Sequence, residues 1–466
     1  MIELKPQRRA VGISTDNRRQ YILVQGDRPA WMVVNEVGFT TFSLCDNRHS
    51  VGQISHILCQ RYGLPFQQVL SDVQCFISRL VQSGFLALSD MDQPAGISGE
   101  RDFPLKKVDL HITENCNLRC RHCGVTDGSK RKDYLTTEQI FRIIDEAKEA
   151  RAGSLNITGG EPILREDLPA ILSYAARRIK TVLATNATLI TEWEARLIDD
   201  LDLKIQISLD GPSESIHDHI RGKGAFARTM MAVDLLGKLG AQEKVSLCAT
   251  VSKNNLDHIP SLLKLAQEKG ISEVKFIPLQ NMGTASLYWD ELAPSSQDYA
   301  QFYSYLYQDA VVEFPELRIN PGFQGFVLHH PPGQTSWCQI GQMLIIDAQG
   351  DIYPCPLLME PPFRLGNVLE VDLCQAIESP IMVRTREMCL NRKSTIPQCR
   401  QCLWKNFCQG GCSGNVYRLK GTFQAVDDLC ELRNRFYPQA IFSRAAQKAK
   451  VFSNGVGGED EGSSSG

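Results

Sequence analysis

The sequence has no excess of either charge, no long apolar run and no hydrophobic leader. Lys and Arg number 50 against 53 Asp and Glu, a formal charge of −3. That balance argues against a nucleic-acid protein, which carries a basic surplus. No stretch approaches the ~20 apolar residues of a membrane span. The opening residues, MIELKPQRRAVG, carry no apolar segment after their basic ones. The reading is therefore a protein without a secretory signal, without a membrane partner, and cytoplasmic. Hydrophobic residues at 43% and charged ones at 22% exclude global disorder. The 466 residues exceed one ordinary domain.

Cysteine, by contrast, is plentiful: sixteen, of which nine follow residue 330 and three fall between Cys116 and Cys123. In a reducing compartment, clustered thiols point to metal rather than disulfides. Cys45, Cys59, Cys75 and Cys248 are scattered as ordinary buried thiols would be.

Four segments emerge along the chain. Residues 1–95 read as three strands (Arg9–Ser14, Tyr21–Gln25, Trp31–Asn35) and three helices (Val37–Cys45, Val51–Tyr62, Gln67–Ser83), closed by the Pro/Gly-rich linker Ser89–Gly99. Residues 96–334 alternate strands with amphipathic helices. The strands are Val108–Ile112, Ser154–Ile157, Thr181–Ala184, Lys204–Ser208, Val245–Thr250 and Glu273–Pro278. Six such units give a parallel sheet, either barrel or open, with chemistry at the carboxyl ends of its strands. In residues 335–440 periodicity fades and cysteines take over, so metal is expected to staple the fold. Residues 441–466 are read as a disordered tail, most clearly from Ser453 onward, where Gly, Ser and acidic residues dominate.

Three thiols in one loop, Cys116, Cys120 and Cys123, follow the first strand of the second segment. They are one ligand short of a closed tetrahedral site, leaving a position open for chemistry; a zinc loop is the alternative. This Cys-x3-Cys-x2-Cys loop resembles the signature of the radical SAM superfamily. The resemblance implies a partial (β/α)6 TIM-like barrel. It also implies a 4Fe–4S cluster on the three thiols, with S-adenosylmethionine (SAM) on its fourth iron. SAM cleavage then yields a 5′-deoxyadenosyl radical. Such clusters reach the strongly negative potentials that this cleavage demands. Gly159, Gly160 and Glu161 resemble the family's segment for the methionine amino group. Thr185, Ser208 and Asp210 resemble its strand-end contacts, and Arg221 its carboxylate partner.

A second constellation runs Cys338, eleven residues, Gly350, four residues, Cys355, then Cys399-x2-Cys402-x5-Cys408-x3-Cys412, and Cys430 seventeen residues on. It resembles the seven-cysteine SPASM domain. That implies two auxiliary 4Fe–4S clusters, one on Cys338, Cys355 and Cys412 and the other on Cys399, Cys402, Cys408 and Cys430. With the SAM-binding cluster this makes three. The resemblance leaves the fourth ligand of the first auxiliary cluster open. A free iron accepting a substrate thiolate, a water, His329, His330, Cys374 and Cys389 are all candidates.

The N-terminal segment is winged-helix-like. It resembles the peptide chaperone of pyrroloquinoline quinone biosynthesis, which binds a leader peptide by strand addition. Its nine Lys/Arg against eight Asp/Glu in residues 1–95 argue against DNA. Together the resemblances imply a radical SAM oxidoreductase acting on a ribosomally made precursor peptide. They further imply a thioether or C–C cross-link, and an electron donor of flavodoxin or ferredoxin type. A sulfatase-maturase-type protein modification or tetrapyrrole chemistry is the alternative.

Overall fold

The computed structural model describes residues 7–8, 10–14, 20–25, 30–87, 105–124, 135–322, 338 and 340–454. The linker Ser89–Gly99 and the histidines His329 and His330 lie outside these residues, as does Arg9 at the head of the first expected strand.

The N-terminal unit is an antiparallel sheet, β1 (Ala10–Ser14), β2 (Gln20–Gln25) and β3 (Trp31–Asn35), followed by α1 (Glu36–Leu44), α2 (Val51–Tyr62) and α3 (Phe66–Gln82). Local chemistry sets the helix starts. Asn35 caps α1 through the Gly38 amide, and Ser50 with Gln53 forms a reciprocal capping box on α2. The alternation of a strand gives the sheet two buried faces. Leu23 and Val34 pack with Ile54, Leu58, Val73 and Ile77 beneath the helices. Ile22 and Val24, on the other face, join the main core of the molecule.

That main core surrounds one ten-stranded sheet. Its parallel part is β4 (Lys107–Thr113), β5 (Leu155–Gly159), β6 (Thr181–Thr185), β7 (Leu203–Ser208), β8 (Val245–Val251), β9 (Glu273–Pro278) and a short β10 (Arg318–Asn320), neighbours in chain order. The intervening helices used below are α4 (Thr137–Glu149), α5 (Leu168–Ala176), α6 (Glu192–Asp200), α7 (Glu214–Arg221), α8 (Ala225–Lys238), α9 (Ile259–Glu268) and α10 (Ser296–Tyr305). They cover the sheet, so β4 is buried along nearly its whole length. The sheet does not close. At the β4 edge it continues into β11 (Met343–Ile346), parallel to β4, and then the antiparallel β12 (Asp351–Tyr353) and β13 (Gly366–Asn367).

Two expectations change here. Periodicity does not end with the sixth strand: β10 and the β11–β13 meander extend the same sheet, being too short for an alternation to register in sequence. Beyond them come α11 (Leu373–Glu378), α12 (Pro380–Leu390), α13 (Ser413–Lys420) and α14 (Cys430–Asn454). Helix α14 runs well past residue 441, where the disordered tail was expected to begin. Tyr437, Ala440 and Ile441 are buried, and this packing anchors the helix despite its internal Pro438. Of the expected tail, residues 455–466 lie outside the described ones. Among the described residues, no helix is long and apolar enough to cross a membrane.

Candidate functional site

The loop after β4 carries Cys116, Cys120 and Cys123, at the carboxyl edge of the sheet. Neighbouring strand ends hold it there. Beyond β5, Gly160 and Glu161 donate their amides to Thr113 and Asn115 carbonyls at 2.8 and 2.7 Å. A Cβ on Gly159, whose φ is 139°, would fall 2.2 Å from the Thr113 oxygen, and one on Gly160 2.2 Å from the Asn115 oxygen. Two glycines are therefore required for the β5 turn to meet the thiol loop.

Glu161 is fully buried. Its carboxylate accepts from the Thr185 hydroxyl (2.6 Å), the Asn186 amide (2.8 Å) and the Ile163 amide (3.2 Å). Burial raises its pKa, against those three donors. Its carboxylate ties β5 to β6. Asn186 extends the tie to the thiol loop, donating to Asn117 Oδ1 at 3.0 Å and reaching the Cys116 sulfur at 4.0 Å; Asn117 donates to Thr188 Oγ1 at 2.8 Å. Ser208 closes β7, in register with Cys248 of β8.

Asp210 also points inward. It is fully buried and accepts from His122 Nε2 (2.8 Å), Arg221 Nε (2.5 Å) and the Thr250 amide (2.8 Å). Its own amide donates to His217 Nδ1 at 3.1 Å, and Asn255 donates to its carbonyl at 2.8 Å. Burial alone would raise this carboxyl; Arg221 and His122 instead hold it well below the usual range. Asp210 in turn fixes the Arg221 guanidinium through Nε. Across the mouth, Glu291 bridges Arg121 of the thiol loop (2.6 Å) and His219 of α7 (3.1 Å). Asn117, His217, Asn255 and Glu291 were not singled out from sequence, where no local pattern marks them.

The three loop thiols influence one another electrostatically. Burial raises both Cys116 and Cys120, the latter to about 12. The C-terminal thiols fall into two further groups. Cys399, Cys402, Cys408 and Cys430 are mutually coupled, with burial pushing Cys399 up to about 12 and Cys430 to about 11. Cys338, Cys355 and Cys412 form the other group, burial raising Cys355 and Cys412. Among the described residues, no three Cys, His, Asp or Glu side chains converge as they would round a single ion.

Arg392 supplies an independent test of fit. It is fully buried, and its guanidinium donates only to neutral acceptors: the carbonyls of Gly410, Gly411, Phe423 and Ala425 and the Ser413 hydroxyl, at 2.7–3.0 Å. No carboxylate pairs with it among the described residues. A buried cation without an anion is costly. Arg392 acts on Cys338 and Cys412 of one group and Cys399 of the other, and on Cys389 as well. Anionic metal-bound thiolates would supply its missing counter-charge. Nearby, Asp427 pairs in two bonds with Arg433 of α14 (2.6 and 2.7 Å) and accepts from the Cys412 amide (3.3 Å).

Known proteins match this arrangement in three pieces. Residues 110–266 match the family model of the radical SAM superfamily, residues 20–86 that of coenzyme PQQ synthesis protein D, and residues 338–403 that of an iron–sulfur cluster-binding domain. Mycofactocin maturase MftC of Mycobacterium ulcerans is 30% identical over 313 residues, 65% of this chain and 81% of that protein. The AdoMet-dependent heme synthase of Methanosarcina barkeri is 28% identical over 348 residues, covering 69% and 95% respectively. Streptococcus suis SuiB, solved with bound S-adenosylmethionine, superposes with a TM-score of 0.59 at 19% identity, covering 88% of this chain and 96% of that one. SuiB has also been solved with precursor peptide SuiA.

Proposed function

This chain belongs to the radical SAM superfamily, and from that premise we propose that it is a maturase of ribosomally made peptides. The observation that carries the reading is the N-terminal sheet, a peptide-chaperone-like fold packed into the same core as the barrel. A tetrapyrrole enzyme would have no use for it.

Cys116, Cys120 and Cys123 would hold the SAM-binding cluster, and the two C-terminal thiol groups the auxiliary ones, three 4Fe–4S clusters in all. The cluster at the barrel mouth, when bound, supplies the single electron that splits SAM into methionine and a 5′-deoxyadenosyl radical. The chain's own residues then have distinct tasks. Arg221, fixed by Asp210, presents positive charge to the methionine carboxylate. Gly159, Gly160 and Thr185 shape the floor against which the amino acid part lies, and Glu161 holds that floor together. Ser208 lies beside it at the end of β7. Glu291 ties Arg121 of the thiol loop to His219 of α7 and so steadies the loop. A leader peptide adds a strand to the N-terminal sheet and delivers its core segment to this mouth. The product is a thioether or C–C cross-link, and a flavodoxin- or ferredoxin-type protein in the cytoplasm supplies electrons.

Anaerobic reconstitution with iron, sulfide, reductant, SAM and a candidate precursor peptide, sought among the short reading frames beside this gene, tests the proposal. The expected result is 5′-deoxyadenosine together with a peptide lighter by a hydrogen pair per link. Removal of the leader should abolish the mass change while reductive SAM cleavage persists. Equal turnover of leader-free peptide would refute the reading.

A further inference from the structure

We propose that Arg392 raises the reduction potentials of both auxiliary clusters through its unneutralised charge, so that each holds an added electron more readily than its thiolates alone would allow. This rests on the reading that Cys338, Cys355 and Cys412 hold one cluster and Cys399, Cys402, Cys408 and Cys430 the other.

Geometry puts Arg392 between the two ligand sets. Its guanidinium donates to the Gly411 carbonyl (2.7 Å) and the Ser413 hydroxyl (3.0 Å), the residues on either side of Cys412. It also donates to the Gly410 carbonyl at 2.9 Å. A Cβ built on Gly410 would lie 3.1 Å from Arg392 Nη2 and 3.4 Å from the Cys399 sulfur, so the guanidinium and a sulfur of the other set flank the same glycine. One step past Ser413, a Cβ on Gly414 would lie 3.4 Å from the Cys355 sulfur. The segment that Arg392 grips thus adjoins sulfurs assigned to both clusters.

Donor accounting shows what Arg392 can do there. Its other bonds go to the Phe423 and Ala425 carbonyls, at 2.9 and 2.7 Å. These contacts use all five N–H donors of the guanidinium. None is left for a sulfur or a substrate, so beyond this cage Arg392 acts through its charge alone. The side chain is fully buried and its acceptors are neutral. The neighbouring buried Asp427 is matched in two bonds by Arg433, which leaves these three groups with one positive charge in excess. At the mouth the corresponding charge is cancelled, because Arg221 is met by Asp210. Reducing a 4Fe–4S cluster adds one negative charge, and its potential follows the net charge around it. A unit charge ~10 Å away, at an effective dielectric constant of ~20, favours the reduced form by about tenfold or more.

The test uses the full chain carrying Cys116→Ala, Cys120→Ala and Cys123→Ala, so that only the auxiliary clusters remain. Roughly eight irons per chain are expected, two 4Fe–4S clusters' worth. A value far lower refutes the two-cluster reading, separately from any role of Arg392. Anaerobic reductive titration followed by EPR then gives the potential of each cluster. Adding Arg392→Gln should cut the reduced-to-oxidised ratio of both clusters about tenfold at a fixed potential, about 59 mV for one electron. Arg392→Lys keeps the charge but cannot rebuild the cage of hydrogen bonds, so it should restore the potentials while the stability loss stays. Equal shifts in the two variants would make Arg392 a clamp only and overturn the proposal. So would an unshifted Arg392→Gln, or a shift confined to one cluster. Should Arg392→Gln fail to keep its iron, Ala425→Asp decides: it retains Arg392 and sets a carboxylate next to one of its acceptor carbonyls. Both potentials should then fall, by less than in Arg392→Gln, and no fall there overturns the proposal as well.

Discussion

The mouth of the barrel and the cysteine-rich C-terminal region both present thiols for iron, and they hold them by different means. At the mouth, the strand ends of a parallel sheet fix the loop through Glu161, Asn186 and Asp210, every one bonded to protein partners. That scaffold is complete before any cofactor arrives. In the C-terminal region the thiols come from short helices and turns, and among the described residues the buried Arg392 has no carboxylate partner. There the scaffold is completed by what it binds. An open coordination site demands rigid surroundings, whereas a closed one can serve as the staple itself.

Removing iron is the strongest way to break the comparison. Anaerobic chelation should let amides of residues 338–430 exchange rapidly while those of β4–β9 stay protected; structural metal sites are worth ~10 kcal/mol or more to their fold. Loss of protection in both regions together would show that they form one unit. Next comes Arg392→Met in iron-loaded protein. It strands the four carbonyls and the Ser413 hydroxyl, and should cost about 3–5 kcal/mol in denaturant titration, with no recovery in Arg392→Lys. At the mouth, Asp210→Asn removes the anion shared by Arg221 and His122. It should cost about 3 kcal/mol and weaken SAM binding measured by equilibrium dialysis, without loss of iron.

A smaller effect is a pH dependence confined to the mouth. Burial, with Arg221 close by, lowers the His217 pKa from 6.5 to about 4. Folding therefore favours the neutral ring, whose Nδ1 accepts the Asp210 amide. The stabilisation is whole above pH 6.5 and is lost as pH falls toward 4. Histidine-labelled NMR should find this ring titrating near 4. Smallest is Glu291→Gln: its ion pairs with Arg121 and His219 are half-exposed, so the loss should stay under ~1 kcal/mol in thermal denaturation.

Much of this was legible from residue order. The six parallel strands run five to seven residues with mostly apolar side chains buried at alternate positions or more, so each registers by itself, and short gaps mark the thiol loop because chelation by one loop needs them. The inward turn of Asp210 and Glu161 was not legible, since a carboxylate after a strand reads equally as a ligand contact or as a tie between strands; only the partners decide. Arg392 carries no local signature at all, because its acceptors are backbone carbonyls up to 33 residues away. Strands β10 to β13 are too short to show a period.

Helix α14 has a consequence for the order in which the protein can be made. It starts at Cys430 and packs against β3, whose Trp31 and Val33 share the main core with Ile22 and Val24 of β2. The ribosome releases β2 and β3 first and α14 nearly last. For the intervening ~400 residues of synthesis the outer face of the N-terminal sheet is uncovered and sticky. Chains that stall, or that wait for iron before Cys430 is ligated, should accumulate on chaperones through that face. Charged substitutions at Trp31 or Val33 would lengthen that wait, and supply of iron during translation, more than after it, should set the yield of soluble protein.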